Sequence, residues 1–174
     1  MRRATAGCPG VNLLVTPETI LQGFTSVAEN YPLRPNDDNI EQLRDACREL
    51  GVWLVVGAYY DFEDGKPIQN VAITIDATGE IINIYSKTNP WNPIESVYPG
   101  GEIAVFDCPK GSRISTIICS DGDYIDTWRT SADRGANVII RISAYMTPYE
   151  RMYDTTNKAG AYFNKAYVLA ANTC

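Results

Sequence analysis

Residues 114–123 read ISTIICSDGD, an apolar run that stops at Cys119 and passes directly into a polar turn containing a glycine. Such a run predicts a buried β-strand, and a strand that ends in this way before a helix is typical of α/β proteins. Its last side chain then lies at the carboxyl edge of a sheet, where α/β proteins build their sites. Cys119 is therefore a candidate nucleophile.

The chain contains no histidine. This excludes the cysteine–histidine pair with which papain-like and caspase-like enzymes activate their nucleophile. If Cys119 is catalytic, a carboxylate or a lysine must move the proton instead.

Strands and helices alternate before this segment. Strands are predicted at 11–15, 52–60 and 103–106, and an antiparallel pair at 71–76 and 81–85 joined by the turn 77–79. A helix between the first two strands is predicted to open with Asn36 as its N-cap and to stop at Gly51. Cys47 lies on the apolar stripe of that helix, so we expect it to fill the core.

The alternation continues after Cys119. A helix is predicted near 124–134, a strand at 138–142, and a last buried strand at 167–171. Between these strands, residues 147–150 predict a helix that opens with a capping box and carries Pro148 in its first position. Treated as one sheet with helices around it, this order predicts a layered α/β fold.

Composition limits the class of protein. A chain of 174 residues, 45% hydrophobic and 21% charged, predicts a single domain over 1–174. The net charge of −6 disfavours binding to nucleic acid or to anionic membranes. No apolar stretch approaches the roughly 20 residues of a membrane span, and residues 1–7 lack the apolar core of a signal peptide. These features predict a cytoplasmic protein.

Cysteines are scattered at positions 8, 47, 108, 119 and 174, and no Cys-x-x-Cys pair occurs. This spacing predicts reduced thiols rather than a disulfide framework or a zinc site.

Glu18, Lys87 and Cys119 each stand at or just past the end of a predicted strand. Taken singly, such a glutamate or lysine is more often a solvated surface residue, and such a cysteine is often part of the core. Because the strands of one sheet bring their ends to the same edge, we expect the three side chains to converge.

Their sequence contexts resemble the nitrilase (carbon–nitrogen hydrolase) superfamily, and within it the formamidase and aliphatic amidase branch. The contexts are TPETILQG at 16–23, YSKTNPWNPIESVYPG at 85–100 and ICSDG at 118–122. Residues 90–95 are the most specific part of the match, and RISAY at 141–145 adds an amidase-like signature. The resemblance runs from about Gly7 to Cys174.

The resemblance implies an α-β-β-α sandwich with a Glu18–Lys87–Cys119 triad and with Glu95 as a second active-site glutamate. It also implies that Tyr145 lines a small amide pocket. A Glu18 removed from water could accept the thiol proton, while a thiolate beside the Lys87 ammonium would be favoured by its charge.

The implied reaction is the hydrolysis of a short amide through a cysteine thioester, without metal or organic cofactor. Lys87 and the backbone N–H of Ser120 would stabilise the oxyanion. Formamide is favoured as the substrate because the residues at 91–93, of which Trp91 is the first, resemble the corresponding residues of formamidases. Departures from the family pattern at Thr19, Ser120 and Val97 leave the exact amide open. The family resemblance also implies a homo-oligomer.

Two alternatives to a working thiol amidohydrolase remain at this point. Only 17 residues precede Glu18 and the chain stops on a predicted strand, so we expect a domain that is incomplete at both ends. A truncated, non-catalytic remnant that keeps the fold is one alternative. Hydrolysis of a nitrile by the same triad is the other, although Glu95 and its neighbours favour amides.

Overall fold

Two four-stranded sheets pack face to face in the computed structural model, which describes residues 1–24, 31–92 and 94–173. The first sheet has the order β1-β2-β3-β4. Its strands are β1 (Leu13–Val15), β2 (Trp53–Tyr60), β3 (Gln69–Ile75) and β4 (Ile81–Ser86). β1 runs parallel to β2, whereas β2, β3 and β4 form an antiparallel meander.

The second sheet has the order β5-β6-β7-β8. Its strands are β5 (Phe106–Cys108), β6 (Ser112–Ile118), β7 (Val138–Ser143) and β8 (Tyr167–Asn172). β5 is antiparallel to β6, and β6, β7 and β8 are parallel, with helices in the two crossovers. Those helices are α3 (Ile125–Asp133) and α4 (Glu150–Asn164), while α1 (Arg2–Gly7) and α2 (Asp38–Leu50) belong to the first half of the chain.

The alternation of side chains along the strands separates the layers. On β2, Leu54 and Val56 pack with Ile40 and Cys47 of α2 on the outer face, whereas Val55 points into the space between the sheets. Successive side chains of a strand point to opposite faces, so an unbroken apolar run such as β2 is buried on both.

The second sheet divides its side chains in the same way. Ile118 and Ile140 face the first sheet, and Ile117 and Ile139 pack with Trp128 of α3 on the outer face. The order of layers is therefore α2, first sheet, second sheet, α3 with α4, which confirms the α-β-β-α sandwich.

Several local predictions need correction. The N-cap of α2 is Asp37, which accepts a hydrogen bond from the Asn39 N–H at 2.8 Å, whereas Asn36 takes a left-handed conformation one residue earlier. The strand expected at 103–106 begins only at Phe106. The predicted end of α2 at Gly51 and the predicted position of Cys47 in the core are confirmed.

The start of α4 also differs from the prediction. The helix begins at Glu150 with Tyr149 as its N-cap, and Pro148 lies outside it after a cis peptide bond. The capping box fails because the Thr147 hydroxyl donates to the Glu150 carboxylate rather than accepting from a backbone N–H.

β8 was expected to be buried, and this prediction is wrong. It is the edge strand of the second sheet, and its Tyr167 and Leu169 side chains are 79% and 43% exposed. None of the described helices is long and apolar enough to cross a membrane.

The single sheet assumed for Glu18, Lys87 and Cys119 is also wrong. Glu18 and Lys87 follow strands of the first sheet, but Cys119 follows β6 of the second. The three segments meet because the sheets are stacked face to face.

Candidate active site

Lys87 is fully buried between two glutamates. Its Nζ donates to Oε1 of Glu18 at 2.8 Å and to Oε2 of Glu95 at 2.5 Å. Both glutamates are themselves buried. Charge-assisted hydrogen bonds of this length, in a region shielded from water, hold all three side chains in one arrangement.

The loop that carries Glu18 rests directly on β2 at Gly57. A Cβ atom at Gly57 would lie 2.5 Å from the Thr19 nitrogen, 2.6 Å from the Pro17 oxygen and 2.8 Å from the Glu18 Cα. All three are backbone atoms and cannot turn away. The absence of a side chain at Gly57 therefore allows the Glu18 backbone to lie directly on β2.

Glu95 is held by its own turn. The Trp91 N–H donates to Oε2 of Glu95 at 2.7 Å, and the Glu95 N–H donates back to the Trp91 oxygen at 3.0 Å. Gly100 closes the segment, because its N–H donates to the Lys87 oxygen at 2.8 Å and its Cα lies against Ser86. Pro93, part of the predicted formamidase-like segment, lies outside the described residues.

Cys119 takes a left-handed backbone conformation with φ of 49° at the start of a single 3-10 turn, Cys119–Asp123. This conformation costs a residue other than glycine about 1–2 kcal/mol. Arg141 offsets that cost, since its Nε and Nη2 donate to the Cys119 oxygen at 2.9 and 2.5 Å. Gly122 makes room for the guanidinium, because a Cβ there would lie 2.2 Å from Arg141 Cζ.

Burial raises the pKa of the Cys119 thiol, and the negative charge of Glu18 raises it further; Lys87 and the Ala144 N–H act in the opposite direction. Burial by itself would lower the pKa of Lys87, but the negative charges of Glu18, Cys119 and Glu95 outweigh it and raise the pKa. Lys87 is therefore a permanent cation beside the thiol, and the thiol needs a nearby base to ionise.

Two residues of this site were missed by the sequence analysis. Asn70 on β3 is fully buried and donates from Nδ2 to both Glu18 and Glu95. Asp121 is also fully buried; one of its carboxylate oxygens accepts from the N–H groups of Thr88 and Asn89, and the other from the Ile118 N–H. Asp121 thereby ties the Lys87 loop of the first sheet to the end of β6. The available signal for Asn70 was a polar residue directly before the apolar run that begins at Val71.

A cavity of about 190 Å³ opens beside Cys119. This is several times the roughly 30 Å³ that one water molecule occupies in the liquid, so a small organic molecule fits. The predicted pocket residues Trp91, Ser120 and Tyr145 all line it. The other lining residues are Phe24, Asp123, Ala144, Met146, Tyr149 and Met152.

The polar groups of the pocket are already engaged. The Ser120 hydroxyl donates to the Asn89 oxygen at 2.5 Å. The Tyr145 hydroxyl donates to the Asp123 carboxylate and accepts from Arg141 Nη2 at 3.1 Å. Burial is the largest cause that raises the Tyr145 pKa, and the hydrogen bond to Asp123 raises it further. Within the described residues, no three histidine, cysteine or acidic side chains come together as a metal site.

A sandwich of two sheets between helices, with a buried Glu–Lys–Glu cluster next to a cysteine at a pocket, defines a protein of the nitrilase type. The chain belongs to the carbon–nitrogen hydrolase family, whose model matches residues 1–174.

Formamidases from Helicobacter acinonychis and Bacillus thuringiensis are 38% and 36% identical to it, over 96% of this chain. The match covers 52% of each formamidase, so the chain spans about half the length of the curated relatives it matches.

Solved structures agree with the fold. An amidase from Nesterenkonia sp. superimposes with a TM-score of 0.88 at 25% identity, over 99% of this chain and 66% of the amidase. Saccharomyces cerevisiae Nit3, a member of branch 10 of the nitrilase superfamily, gives 0.90 at 22% identity over the same shares.

Proposed function

We propose that the protein is a thiol amidohydrolase that converts a short aliphatic amide, with formamide as first choice, to the carboxylic acid and ammonia. The observation that carries the proposal is the buried contact of Lys87 with both Glu18 and Glu95, next to Cys119 at a pocket of small-molecule size. The formamidase relatives support the substrate class.

Glu18 is proposed as the general base. Its Oε1 is occupied by Lys87 and Asn70, and its Oε2 is buried without an N–H or O–H donor among the described residues. Oε2 can therefore take the Cys119 proton. The sulfur attacks the amide carbonyl carbon, and the carbonyl π electrons move to the oxygen to give a tetrahedral oxyanion.

Lys87 and the backbone N–H of Ser120 are proposed to stabilise that oxyanion. Two of the three N–H bonds of the ammonium are used by the glutamates, which leaves one for the substrate oxygen. A single donor of this kind typically contributes about 3 kcal/mol to the transition state.

Glu18 then returns its proton to the departing nitrogen. The C–N bond breaks, ammonia is released, and a thioester remains on Cys119. Water, which gives a proton to Glu18, attacks the thioester carbonyl. The acid is released when the C–S bond breaks, and the proton on Glu18 returns to the sulfur. Glu95 is proposed to fix Lys87 and to hold the amide nitrogen.

Ammonia release from formamide, acetamide, propionamide and acetonitrile tests this proposal. We expect release from the amides, with formamide first, and none from Cys119→Ala. Cys108→Ala, which removes a partly buried thiol, should leave the rate unchanged. Release that survives Cys119→Ala would contradict the nucleophile. A folded protein that releases no ammonia would favour the non-catalytic remnant, and release from acetonitrile alone would favour a nitrilase.

We also propose that the protein works as a cytoplasmic homo-oligomer. The described cysteines are free thiols, as in a reducing compartment. On α3 and α4 the side chains of Ile125, Tyr162 and Phe163 are largely exposed, and such apolar surface is typical of an interface. Sedimentation at increasing concentration would detect the assembly; a monomer at all concentrations would contradict it.

A further inference from the structure

Asn70 is the neutral member of a buried cluster whose other side chains, Glu18, Lys87 and Glu95, are ionisable. Its Nδ2 lies 2.8 Å from Oε1 of Glu18 and 2.8 Å from Oε1 of Glu95. Its own Oδ1 is buried and has no hydrogen-bond partner among the described residues. Leaving a buried acceptor unsatisfied costs stability, so the orientation of this amide is set by the two carboxylates that it serves.

The charges of the cluster do not cancel. Two carboxylates face one ammonium, so the buried group carries a net charge of −1 while Cys119 is a thiol. Moving the Cys119 proton to Glu18 changes the position of the charge but not its sum. In a region shielded from water, the excess negative charge must be stabilised by hydrogen-bond donors.

Few donors are available for this purpose. Lys87 donates to both carboxylates and the Trp91 N–H donates to Glu95. Among the hydrogen bonds of the described residues, Asn70 is the uncharged side chain that donates to both Glu18 and Glu95. It also occupies the same oxygen of Glu18 that Lys87 does.

We propose that Asn70 is a positioning residue that holds the carboxylates of Glu18 and Glu95 in one arrangement and leaves Oε2 of Glu18 as the oxygen that takes the Cys119 proton. The proposal rests on the proposed function, and it does not make Asn70 a catalytic residue. It predicts that the ionisation of Cys119 at neutral pH depends on the amide of Asn70.

The sign of the pH effect follows from the donors. Hydrogen bonds to the charged form of a carboxylate favour that form. When the donor is lost, the negative charge that forms as Cys119 ionises is stabilised less well, so the thiol stays protonated to a higher pH. The titratable groups in contact with the Asn70 side chain are Glu18 and Glu95. Lys87 donates to both glutamates and interacts electrostatically with Cys119 and Asp121, and Asp121 accepts from Tyr85.

The test measures the rate at which iodoacetamide alkylates Cys119 as a function of pH. In this step the sulfur forms a bond to the CH2 carbon, iodide leaves and the thiol proton goes to solvent. The tryptic peptide 114–129 contains Cys119 as its one cysteine, so mass spectrometry separates this thiol from the others. The measurement needs no amide turnover and therefore stands even if the proposed hydrolysis fails.

Three variants are compared with the wild-type protein. Asn70→Asp replaces the donor by a third carboxylate, and Asn70→Ala removes the donor without adding charge. Asn83→Asp adds the same charge on the neighbouring strand β4, where the residue is partly exposed. Circular dichroism establishes that each variant is folded.

We expect the acid side of the Asn70→Asp profile to move up by about one pH unit or more, which slows alkylation about tenfold at pH values on that side. Asn70→Ala should move it in the same direction by less, and Asn83→Asp should not move it. A lower maximum with an unmoved profile in both Asn70 variants would overturn the proposal. An unmoved profile together with normal ammonia release would overturn it while leaving the proposed function intact.

Discussion

Arg141 holds the carbonyl oxygen of Cys119 with two hydrogen bonds, from Nε at 2.9 Å and from Nη2 at 2.5 Å. The arginine stands on β7 and the cysteine directly after β6, and the parallel pairing of these strands brings them together. The backbone of the candidate nucleophile is therefore held in its left-handed conformation by a buried charge on the next strand.

Arg141→Lys should cripple the proposed activity even though the charge is kept. A lysine ammonium cannot reproduce the planar, two-bond contact with the Cys119 oxygen. We expect kcat/KM to fall about 100-fold, as for a misplaced reacting group, and the free energy of unfolding to fall by about 2–3 kcal/mol through the lost hydrogen bonds of a charged donor. Kinetics and urea unfolding measure both. Arg129→Lys, on the exposed face of α3, is the matched control and should change neither.

Gly57→Ala should displace Glu18 without touching any of the charged groups. The new methyl group would meet backbone atoms of Pro17 and Thr19, and overpacking of this kind costs about 1–3 kcal/mol. We expect a loss of ammonia release and a lower melting temperature. Gly101→Ala, where a Cβ has no heavy atom within 4 Å, should leave both values unchanged. Equal behaviour of the two variants would contradict the proposed packing constraint.

Glu95→Gln should separate thiol ionisation from amide hydrolysis. The change removes one negative charge beside Lys87, so the Cys119 thiolate is not disfavoured and alkylation should remain as fast as in the wild-type protein. Hydrolysis should fall at least about 100-fold, because the glutamine keeps one acceptor oxygen where Lys87 and Asn70 use the two oxygens of the carboxylate. Unimpaired hydrolysis would rule out the proposed role of Glu95. Glu102→Gln, on the surface, is the control.

The buried thiol of Cys47 should make the stability of the protein depend on pH, independently of the candidate active site. Burial, with a smaller contribution from Asp76, raises the pKa of this thiol from its ordinary value of 9.0 to about 11. A raised pKa in the folded state stabilises the protein fully below the unfolded value, and this stabilisation is lost as the pH rises towards the folded value.

Urea unfolding at pH 8 and pH 11 tests this dependence. The stability advantage of the wild-type protein over Cys47→Ala should shrink by about 2–3 kcal/mol between these values, at about 1.4 kcal/mol per pH unit. Cys8→Ala, an exposed thiol, should show a much smaller change. A constant difference between the wild-type protein and Cys47→Ala would contradict the raised pKa.

Local sequence patterns predicted the elements well where one physical signal dominated. The antiparallel pair β3 and β4, the end of α2 at Gly51 and the strand before Cys119 follow from side-chain period and from turn chemistry, and the structure confirms them. The capping-box prediction failed at Thr147, because its hydroxyl donates to the Glu150 carboxylate and does not accept a hydrogen bond from a backbone N–H of the helix. The burial prediction failed on β8, where an apolar sequence occupies an exposed edge.

The amino-acid sequence alone predicted the α/β class, the family resemblance and the candidate residues Glu18, Lys87, Glu95 and Cys119, because each lies in a recognisable local context. The packing of the layers showed that they meet across two stacked sheets, that Arg141 and Asp121 hold the segments in place, and that Asn70 joins the two glutamates. These contacts link residues more than twenty positions apart. Their partners depend on how the layers pack, and no local period or capping pattern carries that information.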